Sequence, residues 1–242
     1  MKIAYLFFLC LVLGITSPCR AAGEGGAEDE NMTVLLNVDS VMNAYIRAIG
    51  GWEKINSIKD MTIIYDTSSV NGKEVIRKIS QINSPEGTFF VMIILENGEE
   101  KYRSILEKDK ITVISGSSRN IMEGERANQI YNQTFLMIEP VYGQIGVKPE
   151  LEGVQKINGR YAFKVKAMFG DQPIYSFYDC KTGLKVEILI PTSKGIQVSY
   201  IEDYREIGPG ILYAFATRNK DDKVNKIRKI EINQGLKLED FQ

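Results

Sequence analysis

Phe89-Phe90-Val91-Met92-Ile93-Ile94-Leu95 is followed directly by Glu96-Asn97-Gly98-Glu99, and then by Tyr102-Arg103-Ser104-Ile105-Leu106. The first run is rich in β-branched and aromatic residues and reads as a strand. Asn97-Gly98 supplies the positive φ angles that a two-residue hairpin needs, so the next run returns as an antiparallel partner. A strand with one wet face alternates apolar and polar residues, and this one does not. Either it is a central strand covered on both faces, or it walls a sheet curved around an apolar cavity.

The same grammar extends in both directions. Upstream, 61–66 and 73–81 are strands joined at Asn71-Gly72, and Pro85-Glu86-Gly87 turns the chain into 88–95. Downstream come 99–107 and 111–115, then 154–157, 161–169, 174–179, 184–190, 196–204, 211–218 and 227–232. Hairpin-length connections make the sheet antiparallel and meandering. Long helices do not alternate with the strands, which argues against a dinucleotide-binding α/β fold.

Two helices interrupt the strands. Val38, Val41, Met42, Tyr45, Ile46 and Ile49 recur at helical spacing, with Asp39 or Ser40 as the cap and Gly50-Gly51 as the stop. A short helical turn at 52–55 is expected to pack Trp52 beneath the loop. Asn120 with Glu123 resembles a capping box, and Ala127, Ile130, Tyr131, Thr134, Phe135 and Ile138 continue at helical spacing until Pro140 forbids more. This places a second amphipathic helix over 123–138. A strongly curved antiparallel sheet with helices on its concave side satisfies both the two-faced strand and these helices, and it leaves space for a ligand where the helices do not fill it.

Composition removes many chemistries. Of 242 residues, 30 are Lys or Arg and 31 are Asp or Glu, so the net charge of -1 gives no basis for capturing nucleic acid. Histidine is absent, which excludes a Ser-His-Asp triad, a Cys-His pair and imidazole-bound zinc within the chain. No phosphate-binding loop, nucleophile elbow or metal-ligand cluster appears, so neither enzyme activity, nor a cofactor, nor a metal is expected.

The beginning of the chain reads as an address. Lys2, the apolar run 3–13, helix-ending Gly14, Ser17 and Pro18, and small Ala21-Ala22-Gly23 give a secretory signal peptide over 1–21. An acidic, glycine-rich leader follows over 22–33, and a single domain covers 34–242. The apolar run is too short to span a bilayer comfortably. Lipidation of Cys19 is the alternative route, although Thr16-Ser17-Pro18 suits a lipoprotein signal badly. After cleavage Cys180 is the remaining cysteine, in a tight turn at Asp179-Cys180-Lys181-Thr182-Gly183, so the core must hold without a disulfide.

Several of these stretches together resemble one family. Ala48-Ile49-Gly50-Gly51-Trp52-Glu53-Lys54-Ile55 resembles the helix-to-strand opening of LolA/LolB-like periplasmic proteins, the outer-membrane lipoprotein carriers of Gram-negative bacteria. Ile157-Asn158-Gly159-Arg160-Tyr161, Tyr178-Asp179-Cys180-Lys181-Thr182-Gly183-Leu184 and Asp203-Tyr204-Arg205 are similar to later family motifs in the same order, as are Ile232-Asn233 and Phe241 at the end. Pro209-Gly210-Ile211 departs from the family pattern, in which the proline follows. Each motif also has a structural meaning as a turn, a helix stop or a cross-strand pair, so together they speak for fold first.

The resemblance implies a half-barrel of about eleven strands whose cavity shields a lipid or the acyl chains of a lipoprotein during transfer to an envelope acceptor, with the protein monomeric. It implies a cavity wall, for which Ile64, Phe90, Met92, Ile94, Tyr131, Phe135 and Ile138 are the candidates, and a lid, for which the 123–138 helix is. A basic residue holds the lid in the carriers; Arg77 and Arg103 are the strand arginines that stand for it here, against the alternative that they simply face solvent. The competing function is a non-catalytic interaction or sensor module using the same curved sheet.

Overall fold

The computed structural model describes residues 37–70, 72–85 and 87–241. The signal peptide, Cys19 and the leader read at 1–33 therefore lie outside the described residues, as does Asn71 of the first hairpin.

The chain opens with α1 (Val38–Ala48) and the short α2 (Trp52–Asn56). Val41, Ile46 and Ile49 are buried as their spacing requires, and each such side chain contributes about 1.5–3 kcal/mol by leaving water. The cap is Asn37, two residues before Asp39 and three before Ser40: its Oδ1 accepts the Ser40 backbone N–H at 2.9 Å. Gly50 ends α1 at φ +134°, and a Cβ there would lie 2.7 Å from the Gly210 carbonyl oxygen, so the helix stop is also a close packing point against a strand turn. Trp52 is not packed beneath the loop; it is 44% exposed, with its indole N–H 3.4 Å from Asn43.

Strands follow as β1 (Asp60–Tyr65), β2 (Ser68–Val70), β3 (Lys73–Ser84), β4 (Gly87–Glu96), β5 (Glu99–Glu107), β6 (Lys110–Ser115) and β7 (Ser118–Glu123). After α3 (Glu125–Gln133) come β8 (Glu150–Ile157), β9 (Arg160–Phe169), β10 (Gln172–Asp179), β11 (Lys185–Thr192), β12 (Gly195–Gly208), β13 (Ile211–Asn219) and β14 (Val224–Ile232). They form one unclosed, curved antiparallel sheet of 14 strands in the order β7-β6-β5-β4-β3-β1-β14-β13-β12-β11-β10-β9-β8, with β2 beside β3. The half-barrel expected from the sequence is present, with more strands than about eleven.

One added strand corrects the sequence reading. Asn120 and Glu123, read there as a capping box, lie in β7 instead: Gly116 turns at φ +56°, and Asn120 pairs with Val113 in the β6 ladder. The hairpin outweighs the capping-box spacing because its ladder satisfies backbone groups that a cap would leave to side chains. Gly124 at φ +82° then breaks the strand, and α3 runs only to Gln133. Beyond it, the Thr134 hydroxyl donates back to the Ile130 carbonyl at 2.8 Å, and the Leu136 backbone N–H donates to the Gln81 side chain at 3.0 Å. Residues 134–138 are thus an irregular strap, followed by a 3₁₀ turn at Glu139–Val141.

Topology explains where the strap lies. Two sequential meanders, β1–β7 and β8–β14, join through the β1–β14 pair, which leaves β7 and β8 as opposite edges. The segment between them must travel from one edge to the other. It crosses the concave face and covers it.

The tail after β14 crosses the other face. Backbone N–H groups of Gln234, Gly235 and Leu236 donate to the buried Asp60 carboxylate at 2.8, 2.8 and 3.2 Å. Farther along, the Phe241 carbonyl accepts from Arg103 at 2.6 Å. Thr62 and Ser80 lie on this outer face, are buried, and bond to each other at 2.8 Å.

Candidate functional site

The concave interior is filled at one end and hollow at the other. Against β4–β6, Phe90, Tyr131 and Phe135 form a triangle of edge-to-face rings with centroids 5.0–5.5 Å apart, closed by Leu106, Ile111 and Ala127. The Tyr131 hydroxyl donates to the Thr88 carbonyl at 2.8 Å. Phe90 is fully buried in this cluster, so Phe90 and Tyr131 form packed core and not cavity wall.

Toward β11–β14 the strap stands off the sheet and leaves a cavity of ≈ 260 Å³. Phe135, Leu136, Met137 and Ile138 roof it; Ile188, Ile201, Leu212, Ala214 and Ile227 supply apolar wall. A second hollow of ≈ 250 Å³ lies beyond the strap, between α2, β1 and β3, and shares Phe135 and Met137 with the first. On its wall Gln81 Nε2 donates to Asn83 Oδ1 at 3.1 Å, and Asn83 Nδ2 donates to the Ile58 backbone carbonyl at 3.0 Å.

Strand register gives the main cavity its direction. The Leu212 N–H donates to the Ile49 carbonyl at 2.9 Å, which places that end under α1 beside buried Tyr45 and Ile49. Thr217 pairs with exposed Asn225, and Tyr65 with Ile227, at the far end. The five-residue step from 212 to 217 spans ~17 Å of strand. The cavity is a slot, closed under α1 and open near Asn225.

The closed end holds an ion pair. Glu139, whose side chain is 2% exposed, meets Lys185, whose side chain is 11% exposed. The Tyr178 hydroxyl donates to Glu139 Oε1 at 2.9 Å, the Lys185 ammonium lies 5.4 Å from the Tyr45 ring centroid, and the Tyr204 hydroxyl donates to the Lys185 carbonyl at 3.0 Å. Burial pushes the Tyr45, Tyr142, Tyr178, Tyr204 and Tyr213 hydroxyls to higher pKa, and the nearby Glu139 charge pushes each further. The strap is therefore tied to the sheet at several points: Gln81 to Leu136, the Tyr213 hydroxyl to the Leu136 carbonyl at 2.9 Å, and Tyr178 with Lys185 to Glu139.

At the open end, the Arg77 guanidinium lies over the Tyr65 ring at 3.9 Å, and both line the cavity. Arg103 pairs with Ile93 and Ile114 on the opposite face, where it binds Glu100 and the tail carbonyl, so it does not reach the interior. Ile64 pairs with Lys78 and Lys229 on that outer face as well, because Ile63 and Tyr65 take the inner positions on β1. Met92 and Ile94 share the inner face with Phe90, half-buried, and are not among the residues lining the slot. Of the residues proposed from sequence, Phe135, Ile138 and Arg77 meet at the cavity. Reading the sequence missed Glu139, Lys185 and the tyrosines; the available signal was an acid closing the apolar run Phe135-Leu136-Met137-Ile138 just before Pro140.

No protein-family model matches the sequence, and comparison with curated proteins finds no match. Solved structures do match. A LolA-superfamily protein from Nitrosomonas europaea aligns over 86% of this chain and 98% of its own, with TM-score 0.55 and 12% identity. The chain has the LolA-superfamily fold. A DUF1329-family protein from Desulfovibrio piger aligns over 85% of this chain and 97% of its own, with TM-score 0.56 and 12% identity. A putative outer membrane lipoprotein-sorting protein domain from Vibrio parahaemolyticus aligns over 76% and 88%, with TM-score 0.52 and 12% identity. Sequence identity at this level speaks for the LolA-like architecture alone.

Proposed function

We propose that this chain is an exported, non-catalytic carrier that holds a lipid or lipoprotein acyl chain in the slot beneath the strap. The observation that supports it is the ≈ 260 Å³ hollow with apolar walls between the strap and β11–β14, where a packed interior would have left no room. A methylene occupies about the ~30 Å³ of a water molecule, so the hollow takes roughly eight. At about 0.8 kcal/mol each, their burial contributes about 6 kcal/mol before the cost of immobilising the guest. That is a hold from which an acceptor can withdraw the chain. The signal peptide read at 1–21 fits export to the periplasm, where such cargo travels.

Native mass spectrometry of the mature chain, purified after export, tests this. A bound lipid or acylated species is expected, together with displacement of an acyl-chain fluorophore that Ala214→Phe, which fills the slot, abolishes. An empty protein that neither binds nor releases the fluorophore would instead favour an interaction module built on the same sheet.

A further inference from the structure

Resting on the carrier reading and going beyond it, we infer that the guest carries an uncharged head with several hydroxyls, of glycerol or sugar type, and that this head sits in the second hollow. Charge separates the two hollows. Arg77, Glu139 and Lys185 line the slot, whereas none of the twelve described residues lining the second hollow is charged, in a chain of which 25% is. Carboxamides take the place of charge there: Asn56, Gln81, Asn83 and Gln144, with Thr88 adding a hydroxyl. Part of this wall is fixed. Gln81 Oε1 accepts the Leu136 N–H at 3.0 Å, and Asn83 Oδ1 accepts from both Gln81 Nε2 at 3.1 Å and the Thr88 hydroxyl at 3.0 Å. Asn56 and Gln144 are exposed and make no side-chain hydrogen bond among the described residues.

Hydrogen-bonding chemistry selects the head. A carboxamide offers donors and acceptors in one planar group, and a hydroxyl is also both, so a polyol satisfies such a wall in either direction. A phosphate or carboxylate brings a charge that this wall does not neutralise, and a quaternary ammonium brings a charge with no donor at all. Position joins the head to the chain. Phe135 and Met137 line both hollows, so these side chains of the strap separate them. Methionine is unbranched with three rotatable bonds, and Met137 yields to a linker passing from one hollow to the other. Volume sets the size of the head. At ~30 Å³ per water, the ≈ 250 Å³ of the second hollow equals about eight waters, room for a glycerol or one sugar ring.

The test titrates delipidated mature protein, carrying a bound acyl-chain fluorophore, with 1-dodecanoylglycerol, dodecyl glucoside, 1-dodecanol, dodecanoate and dodecyltrimethylammonium below their micellar concentrations. Both polyol amphiphiles are expected to displace the probe at concentrations at least ~10-fold lower than dodecanol or either ion. The order of the two distinguishes a glycerol head from a sugar head. Asn56→Ala with Gln144→Ala is expected to bring the polyols to within ~3-fold of dodecanol while leaving dodecanol unchanged, which also reports an intact slot. Should that double variant lose dodecanol as well, Gln144→Ala alone serves in its place, and weakens the polyols alone by at least ~3-fold. If dodecanol or an ion matches the polyols, or if their advantage survives the substitutions, the polyol-head proposal is wrong and the carrier reading stands. If none of the five displaces the probe, both fail.

Discussion

Lys185→Met isolates the ion pair at the closed end of the slot. Methionine keeps the length and apolar stem of lysine and deletes the ammonium. The Glu139 carboxylate, 2% exposed, then keeps the Tyr178 hydroxyl as a donor but loses its counter-charge. Breaking a buried pair from one side costs about 3–5 kcal/mol, and the surviving tyrosine bond puts the expectation near the lower bound, about 3 kcal/mol. Removing both charges, in Glu139→Gln with Lys185→Met, leaves no stranded ion and is expected to cost only about 1 kcal/mol. The loss of the ammonium above the Tyr45 ring is common to the two variants and cannot produce the difference. Urea unfolding followed by far-UV circular dichroism reads both numbers, with an unchanged m-value as the check that the transition is the same one. The reasoning is refuted if Lys185→Met lies within 1 kcal/mol of the parent, or if the double variant is as unstable as the two single losses added.

Two further outcomes are expected. The buried tyrosines carry raised pKa values, so the folded protein keeps protons that the unfolded chain releases above about pH 10. Their contribution is complete below that pH and is lost as pH rises toward the folded values, so the urea midpoint should fall as the pH is raised above about 10, with most tyrosinate absorbance appearing only on unfolding; tyrosinate absorbance of the still-folded protein that titrates as a whole with its midpoint near pH 10 contradicts this. Asp60→Ala removes the acceptor of three tail N–H groups, and hydrogen exchange at Gln234–Leu236 should accelerate at least ~30-fold; unchanged protection there would mean that other contacts hold the tail.

What the sequence determined by itself is local. Asn97-Gly98, Thr182-Gly183 and the apolar stripe of α1 act within a few residues, and their turn and helix chemistry gave the antiparallel strands and the first helix at nearly their observed positions. The resemblance in motif order reached the half-barrel. Misreadings arose where a distant partner decides: β7 looked like a helix start until its ladder with β6 claimed the same residues, and Ile64 looked like wall until β3 and β14 fixed which face of β1 points inward.

Most of the site belongs to the second kind. Strand alternation would put Lys185 and Glu187 on one face, yet the irregularity between Phe177 and Tyr178 sets Lys185 opposite Tyr178 and Glu187 opposite Phe177, which turns the lysine inward. Its carboxylate partner arrives from the 3₁₀ turn that follows the strap, 46 residues earlier in the chain (185 against 139), and only because that segment must cross the concave face between the two sheet edges. Short-range conformational preference can specify strands and turns. Which side chains meet in the hollow was decided by sheet register and by the path of that crossing, and both exist only once the two meanders have joined.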